Sequence, residues 1–290
     1  MAQDTCVLRR AAPADAPRIE AFLAAHAATS MFLRSNLAAH GLGPSDAAHA
    51  TEMFVHEDAD RVHGVIGLTN GGYLMAQLAD GSVDLSAARA HWQGRRVVGM
   101  TGLPNQVAHV LMAMGLADTQ TTVDHDEPLF QLDLSDLAGP FDTLRVPQPS
   151  DREMLENWFF DYLCDTGASD SDLSTRADAV ARAKRAVAGD TVRLLEVDAL
   201  PVAMTAFNAE VAGMVQVGGV FVPRALRNKG YGRRVVAAHL AEARARGIGR
   251  AILFAASDDA ARAYRAIGFE QIGTYRVALF KKAATIEGAI

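Results

Sequence analysis

Along the second half of the chain, apolar and polar positions first repeat at helical spacing, over 152–164 and again over 173–187. The period then shortens toward two, and strands are expected over 192–197, 202–208 and 214–222. A helix over 231–246, a strand over 251–254 and a helix over 258–267 follow. Gly268 stops that last helix, and a strand over 271–280 is expected to close the half. In the first half, 62–68 and 72–78 read as strands flanking Thr69-Asn70-Gly71, a hairpin turn in which Asn-Gly accepts positive φ. Helical runs segregated from strand runs predict an α+β fold, a mixed, mainly antiparallel sheet flanked by helices.

The pattern occurs twice. Leu8-Arg9-Arg10-Ala11-Ala12-Pro13-Ala14-Asp15 aligns with Leu144-Arg145-Val146-Pro147-Gln148-Pro149-Ser150-Asp151, 136 residues on. Each reads as a short strand and a Pro/Asp turn that caps an amphipathic helix, starting near Ala16 or Arg152. Later, Arg96-Val97-Val98-Gly99-Met100 through Gly115-Leu116 matches Arg250-Ala251-Ile252-Leu253-Phe254 through Gly268-Phe269, now 153 residues on, so the second half has gained 17 residues between the two anchors. Two matches in the same order predict tandem domains of one fold, 1–137 and 141–290, joined around Leu137-Ala138-Gly139-Pro140.

A length of 290 residues accommodates two ordinary domains, and a composition half apolar and about a fifth charged is that of a globular protein. The formal charge of −6 argues against a nucleic-acid partner. Two distant cysteines, Cys6 and Cys164, make neither a disulfide framework nor a zinc knuckle. Met1–Thr5 lacks the start of a signal peptide, and the longest apolar stretch, 211–222, is too short and too interrupted for a bilayer. A reduced, cytoplasmic protein with no membrane partner is expected. Eight of the nine histidines precede residue 126 without a tight i, i+4 pair on an expected helix, so no metal is expected. Asp124-His125-Asp126-Glu127 reads as an exposed polar loop, and no serine nucleophile elbow is present.

Against this acidic background one basic run stands out. The strand ending Gly218-Gly219-Val220-Phe221-Val222-Pro223 leads into Arg224-Ala225-Leu226-Arg227-Asn228-Lys229-Gly230-Tyr231-Gly232-Arg233-Arg234 and then a helix. Glycines let the backbone approach a ligand closely, and free N–H groups at a helix start carry the positive end of its dipole. Together they suit a phosphate, and Arg227, Lys229, Arg233 and Arg234 add charge. Neither the dinucleotide fingerprint nor a P-loop fits the spacing.

The run from Val220 to Phe269 resembles the GNAT superfamily of N-acetyltransferases, whose loop reads Arg/Gln-x-x-Gly-x-Gly/Ala; Arg227, Gly230 and Gly232 hold those positions. The resemblance covers 144–280 and implies acetyl-CoA as acyl donor. The loop from Arg227 through Asn228, Lys229, Gly230, Tyr231, Gly232 and Arg233 would hold its pyrophosphate. The main chain of Val220, Phe221 and Val222 would bond the pantetheine arm. The superfamily's later signature, Asn-x-x-Ala-x-x-x-Tyr-x-x-x-Gly-Phe, appears as Ser257, Ala260, Tyr264, Gly268 and Phe269, with Ser257 replacing the asparagine as helix cap and cofactor contact. By the same resemblance Tyr264 would protonate the departing thiolate.

Where many relatives carry a glutamate base, this chain has Gln216, which can position an acceptor but cannot take its proton; Asn208 and Glu210 lie close by in sequence. The first half resembles the superfamily only in layout. After 72–78 comes Ala79-Asp80-Gly81-Ser82-Val83-Asp84-Leu85, acidic and without the glycine motif, and Leu111 stands where Tyr264 stands, so this half is expected to be catalytically silent. The reading is direct acetyl transfer to a small-molecule amine or a peptide. A longer acyl-CoA, a non-catalytic CoA-binding regulator and a homodimer remain open.

Overall fold

The computed structural model describes residues 6–79, 83–167 and 173–288. Met1–Thr5 and Asp80-Gly81-Ser82 of the acidic stretch lie outside them. The first half runs β1 (Val7–Arg10), α1 (Ala16–Ala25), α2 (Met31–His40), β2 (Thr51–Glu57), β3 (Val62–Thr69), β4 (Tyr73–Leu78), α3 (Ser86–His91), β5 (Arg96–Gly102), α4 (Pro104–Ala113) and β6 (Thr121–Asp133). The second runs β7 (Leu144–Arg145), α5 (Arg152–Asp165), α6 (Leu173–Ala188), β8 (Val192–Val197), β9 (Leu200–Val211), β10 (Met214–Phe221), α7 (Tyr231–Ala245), β11 (Arg250–Phe254), α8 (Asp258–Arg265) and β12 (Glu270–Thr285).

The chain divides into two compact units, one of residues 1–126 with 274–290 and one of 127–273, rather than near 137–141. In the first unit β1, β2, β3 and β4 pair antiparallel in order, β4 and β5 are parallel, and β12 flanks β5 antiparallel. In the second, β7, β8, β9 and β10 repeat that ladder, β10 and β11 are parallel, and β6 flanks β11 antiparallel. Each unit thus takes its last strand from the other half of the sequence. The strand expected to close the second half instead pairs with β5, and Ala278 and Phe280 join the first unit's core. Alternation identifies a strand but not the edge it joins.

Both units put helices on the two faces of their sheet. In the first, Ile19, Leu23, Leu33 and Leu37 of α1 and α2 cover Met53, Val55 and Val65, while α3 and α4 cover Phe54, Ile66 and Leu68. In the second, Leu155, Phe159 and Ala183 of α5 and α6 pack on Leu194, Met204 and Phe221. On its other face Val235, Val236 and Leu240 of α7 and Tyr264 of α8 pack with Val215, Val217, Leu253 and Phe130. Leu134 and Leu137 also belong to this last core, so the expected linker begins inside the second unit.

The repeated N-terminal motif folds identically in both. Arg9 forks onto Asp15 at 2.7 and 2.8 Å and reaches Glu57 at 2.7 Å; Arg145 forks onto Asp151 at 2.6 and 2.9 Å and reaches Glu196 at 2.6 Å. Each aspartate also accepts the N–H three residues before it, Ala12 or Gln148. The hydrogen bond from Arg9 draws the Asp15 carboxyl down to about 2.

Two local expectations are corrected. The β3–β4 turn puts its left-handed residue at Gly72 (φ 88°), not at Asn-Gly, and the Asn70 amide instead donates to Ser45 and Ala47 carbonyls. A side chain at 72 would bring its Cβ within 2.9 Å of the Arg96 carbonyl. The run 124–127 is no loop but part of β6, where Arg276 of β12 neutralises Asp124 with a fork of 2.7 and 2.9 Å. Cross-strand charge pairing makes a polar strand viable where sequence shows only polarity.

Candidate active site

The second unit's parallel pair holds together only as far as Val217 and Leu253, while β10 continues to Phe221. Bulges on the β9 side, at Gln216/Val217 and between Gly218 and Phe221, bend it away from β11. Beyond the split, the β10 edge facing β11 has no ladder partner among the described residues, and a cleft of about 910 Å³ opens there, lined by Val217 to Val222, the loop from Leu226 to Arg233, and residues of α5, β11 and α8.

The loop ends on Gly230, the residue preceding α7, with φ 79°, a conformation that glycine adopts without strain. A Cβ there would also crowd Arg233 Nε at 3.3 Å. Asn228 is left-handed too, at φ 64°. The first amides of the 15-residue α7 are free of intrahelical partners and border the cleft through Tyr231, Gly232 and Arg233.

The four cations expected here divide in two. Lys229 and Arg233 line the cleft and carry no ion pair among the described residues. Arg227 donates to the Val222 carbonyl at 3.1 Å and to Asp165, with its guanidinium 5.9 Å from the Phe221 ring centre, so it braces the loop against β10 and α5. Arg234 is tied to Asp142 at 2.6 and 3.0 Å and does not line the cleft, a correction to its expected place beside the phosphate. Asp165 also accepts from Arg224 at 2.6 Å; burial pushes its carboxyl up, but these two arginines hold it below its ordinary value.

On the opposite wall Ser257 caps α8, its hydroxyl oxygen accepting the Ala260 N–H at 3.2 Å. Tyr264 follows two turns on, 8 % exposed, its ring 6.1 Å from Phe269 and its hydroxyl without a hydrogen-bond partner among the described residues. Burial drives its pKa well above the usual phenol, and the nearby Tyr162 and Glu127 push it the same way, so it stays protonated at neutral pH.

The residues near the usual base position fare differently. Gln216 is buried, its amide donating to the Val217 carbonyl at 2.8 Å, and it does not line the cleft. Asn208 packs over the backbone of Gly218. Glu210 forms an exposed pair with Arg246 at 2.9 Å, away from the cleft.

Sequence reading missed Tyr162, Asp165 and Thr166, the α5 contribution to the cleft. Tyr162 is bonded to the Gly219 amide at the bulge, and burial raises its pKa. Their i, i+3, i+4 spacing was visible, but it looks the same as any polar helix face. The metal expectation, built on helical spacing, also passed over strands. In the first unit Cys6, Asp58 and His63 bring one ligand atom each within 4.8 Å of one another, with Asp58 and His63 joined at 2.6 Å.

Residues 153–269 match the acetyltransferase (GNAT) family. No curated protein sequence matches the chain. Among solved structures, a GCN5-related N-acetyltransferase from Sphaerobacter thermophilus is similar at TM-score 0.53 and 17 % identity, over 98 % of this chain and 97 % of its own. One from Kribbella flavida is similar at 0.51 and 17 %, over 76 % and 87 %. A Drosophila protein reaches 0.61 at 13 %, over 95 % and 99 %. At these identities the likeness is one of fold, and the family match lies over residues 153–269, the segment that bears the cleft.

Proposed function

We propose that the second unit transfers the acetyl group of acetyl-CoA to a primary amine by direct attack, at one site per chain. The observation that carries the reading is the union, in one cleft, of an unpaired strand edge, a glycine-opened helix start and a buried, protonated Tyr264. The strand edge suits the amide groups of a pantetheine arm. The α7 amides with Lys229 and Arg233 suit its pyrophosphate. Across the cleft Tyr264 offers a proton to a leaving thiolate, whose thiol titrates near a free cysteine's value of about 8.5.

The first unit is built differently at the same place. Its parallel pairing ends at Met75 and Thr101, and the buried Gln106 of α4 then bonds both backbone groups of Leu78, donating to the carbonyl at 2.8 Å and accepting the N–H at 3.1 Å. A side chain therefore satisfies the strand edge that a pantetheine arm would need. Leu111, at the place of Tyr264, has no proton to give. This supports a silent first unit.

Thiol release from acetyl-CoA in the presence of alkyl, aryl and amino-acid amines tests the reading. Amine-dependent release is expected. Binding of acetyl-CoA with no release for any amine would favour a regulatory CoA binder, the reading that Gln216 in place of a glutamate leaves standing.

A further inference from the structure

We propose that Cys6, Asp58 and His63 of the first unit bind a divalent ion of the zinc class, with the fourth position left to water; this is independent of the acetyl-transfer reading above. One donor atom from each of the three lies within 4.8 Å of the other two.

Three strands bring these donors together. The β1–β2 register sets Leu8 opposite His56 and Val7 opposite Glu57, and one step further it sets Cys6 opposite Asp58, on one face. In the β2–β3 pair His56 faces Gly64 but Glu57 faces Val62, so His63 is the extra residue of a bulge, which re-aims its side chain. His63 Nε2 lies 2.6 Å from Asp58 Oδ2. The other oxygen, Oδ1, accepts the Asp60 and Arg61 N–H groups at 2.9 Å each, which fixes the carboxylate with Oδ2 toward the ring.

The second unit shows that the fold does not require these residues. The Arg9–Glu57 and Arg145–Glu196 contacts align the two ladders. Strands β8 and β9 carry the same bulge, Leu195 facing Ala203 but Glu196 facing Pro201. Asp142, Val197 and Val202 stand there at the places of Cys6, Asp58 and His63. Asp142 is taken by Arg234, and both valines pack with the apolar core. A bulge that serves hydrophobic packing in one copy gathers a carboxylate and an imidazole in the other, beside a thiol.

Thiolate, imidazole and carboxylate together suit zinc rather than Mg²⁺ or Ca²⁺, which take oxygen donors. The thiolate and the carboxylate cancel the two charges of the ion. Tetrahedral zinc holds such donors about 3.3–3.8 Å apart. Side-chain rotation brings the set to that spacing, with the 2.6 Å His63–Asp58 contact opening slightly. Binding sends the thiol proton to solvent, and the proton between His63 and Asp58 leaves the ligating nitrogen. Cys6 is exposed and borders a cavity of about 400 Å³, lined also by Leu8, His56, Val83, Asp84 and Ser86. The cavity gives the ion an entry path and the fourth ligand room.

The test uses the full chain, stripped of metal by a chelator, kept reduced with a phosphine and titrated with Co²⁺. One equivalent of Co²⁺ should develop a thiolate-to-cobalt charge-transfer band in the near ultraviolet, and one equivalent of Zn²⁺ should erase it. Cys6→Ser should abolish the band, while Cys164→Ser should keep it. Competition with a chromophoric chelator measures Zn²⁺ affinity. His63→Ala should lower it by at least about 10-fold, the low end of what even an outer-shell partner costs. Asp58→Asn keeps an oxygen for the two turn amides and removes the ligating charge, so it should weaken Zn²⁺ to a like degree with circular dichroism unchanged. No band in the folded wild type, a band that survives Cys6→Ser, or wild-type Zn²⁺ affinity in His63→Ala overturns the site.

Discussion

Tyr264 shows how much one side chain's surroundings decide. Its motif position suggested an acid; a phenol already keeps its proton at neutral pH, and burial holds that proton more tightly still. Tyr264→Phe keeps the ring against Phe269 and removes the hydroxyl. Steady-state kinetics should show kcat down by about 10²-fold, with acetyl-CoA affinity by calorimetry little changed. A structural role would give the reverse, lost stability with turnover kept. His239 carries a different consequence of burial. Its ring lies 3.7 Å from that of Phe207, nearly parallel, with Nδ1 buried and unpartnered. Burial above all, then Arg193 and Arg246, depress its pKa to about 3. Between that value and about 6.5 the unfolded chain binds a proton that the folded chain refuses, so stability falls as pH falls through 6.5. From pH 7.5 to 5 this costs about 2 kcal/mol at one group. Urea denaturation of His239→Leu should therefore lose less stability over that range than the wild type.

At the scale of elements, the Pro/Asp turn after each short strand and the glycine loop before α7 were legible for the same reason. Both are local, with Arg9 six residues from Asp15, Arg145 six from Asp151, and Gly230 bordering the helix it opens. Such short-range geometry is written in spacing. Gly230→Val places a β-branched residue at φ 79°, where strain of about 1–3 kcal/mol is usual. Acetyl-CoA binding by calorimetry should weaken by about 10-fold or more as the loop relaxes. Wild-type affinity in this variant would show that the loop does not hold the phosphates. The roles of Arg227 and Arg234 were not legible, because Asp165 and Asp142 are 62 and 92 residues away from them.

For the whole molecule the repeat has an asymmetric outcome. Two units share strand order and helix layers, yet one leaves its split strand edge open and the other seals it with Gln106. Titration with acetyl-CoA should therefore give one site per chain, and two equivalent sites would refute a silent first unit. Among the described residues no helix is long and apolar enough to cross a membrane. The exchange of β6 and β12 between the halves also makes the units interdependent in sequence. Separate expression of 141–290 would leave β11 without β6.

The sequence by itself determined the α+β fold, the duplication, the glycine loop and the Ser257–Phe269 helix, because each depends on periodicity or on contacts a few residues long. Only the tertiary structure decided which strand completes which sheet, which cations of the glycine loop are tied into ion pairs, and that a polar run read as a loop is part of a strand. Those outcomes depend on partners far apart in the chain. Alternation makes a strand ready to pair on either edge, and a charged side chain is ready for any opposite charge. Packing selects among those partners.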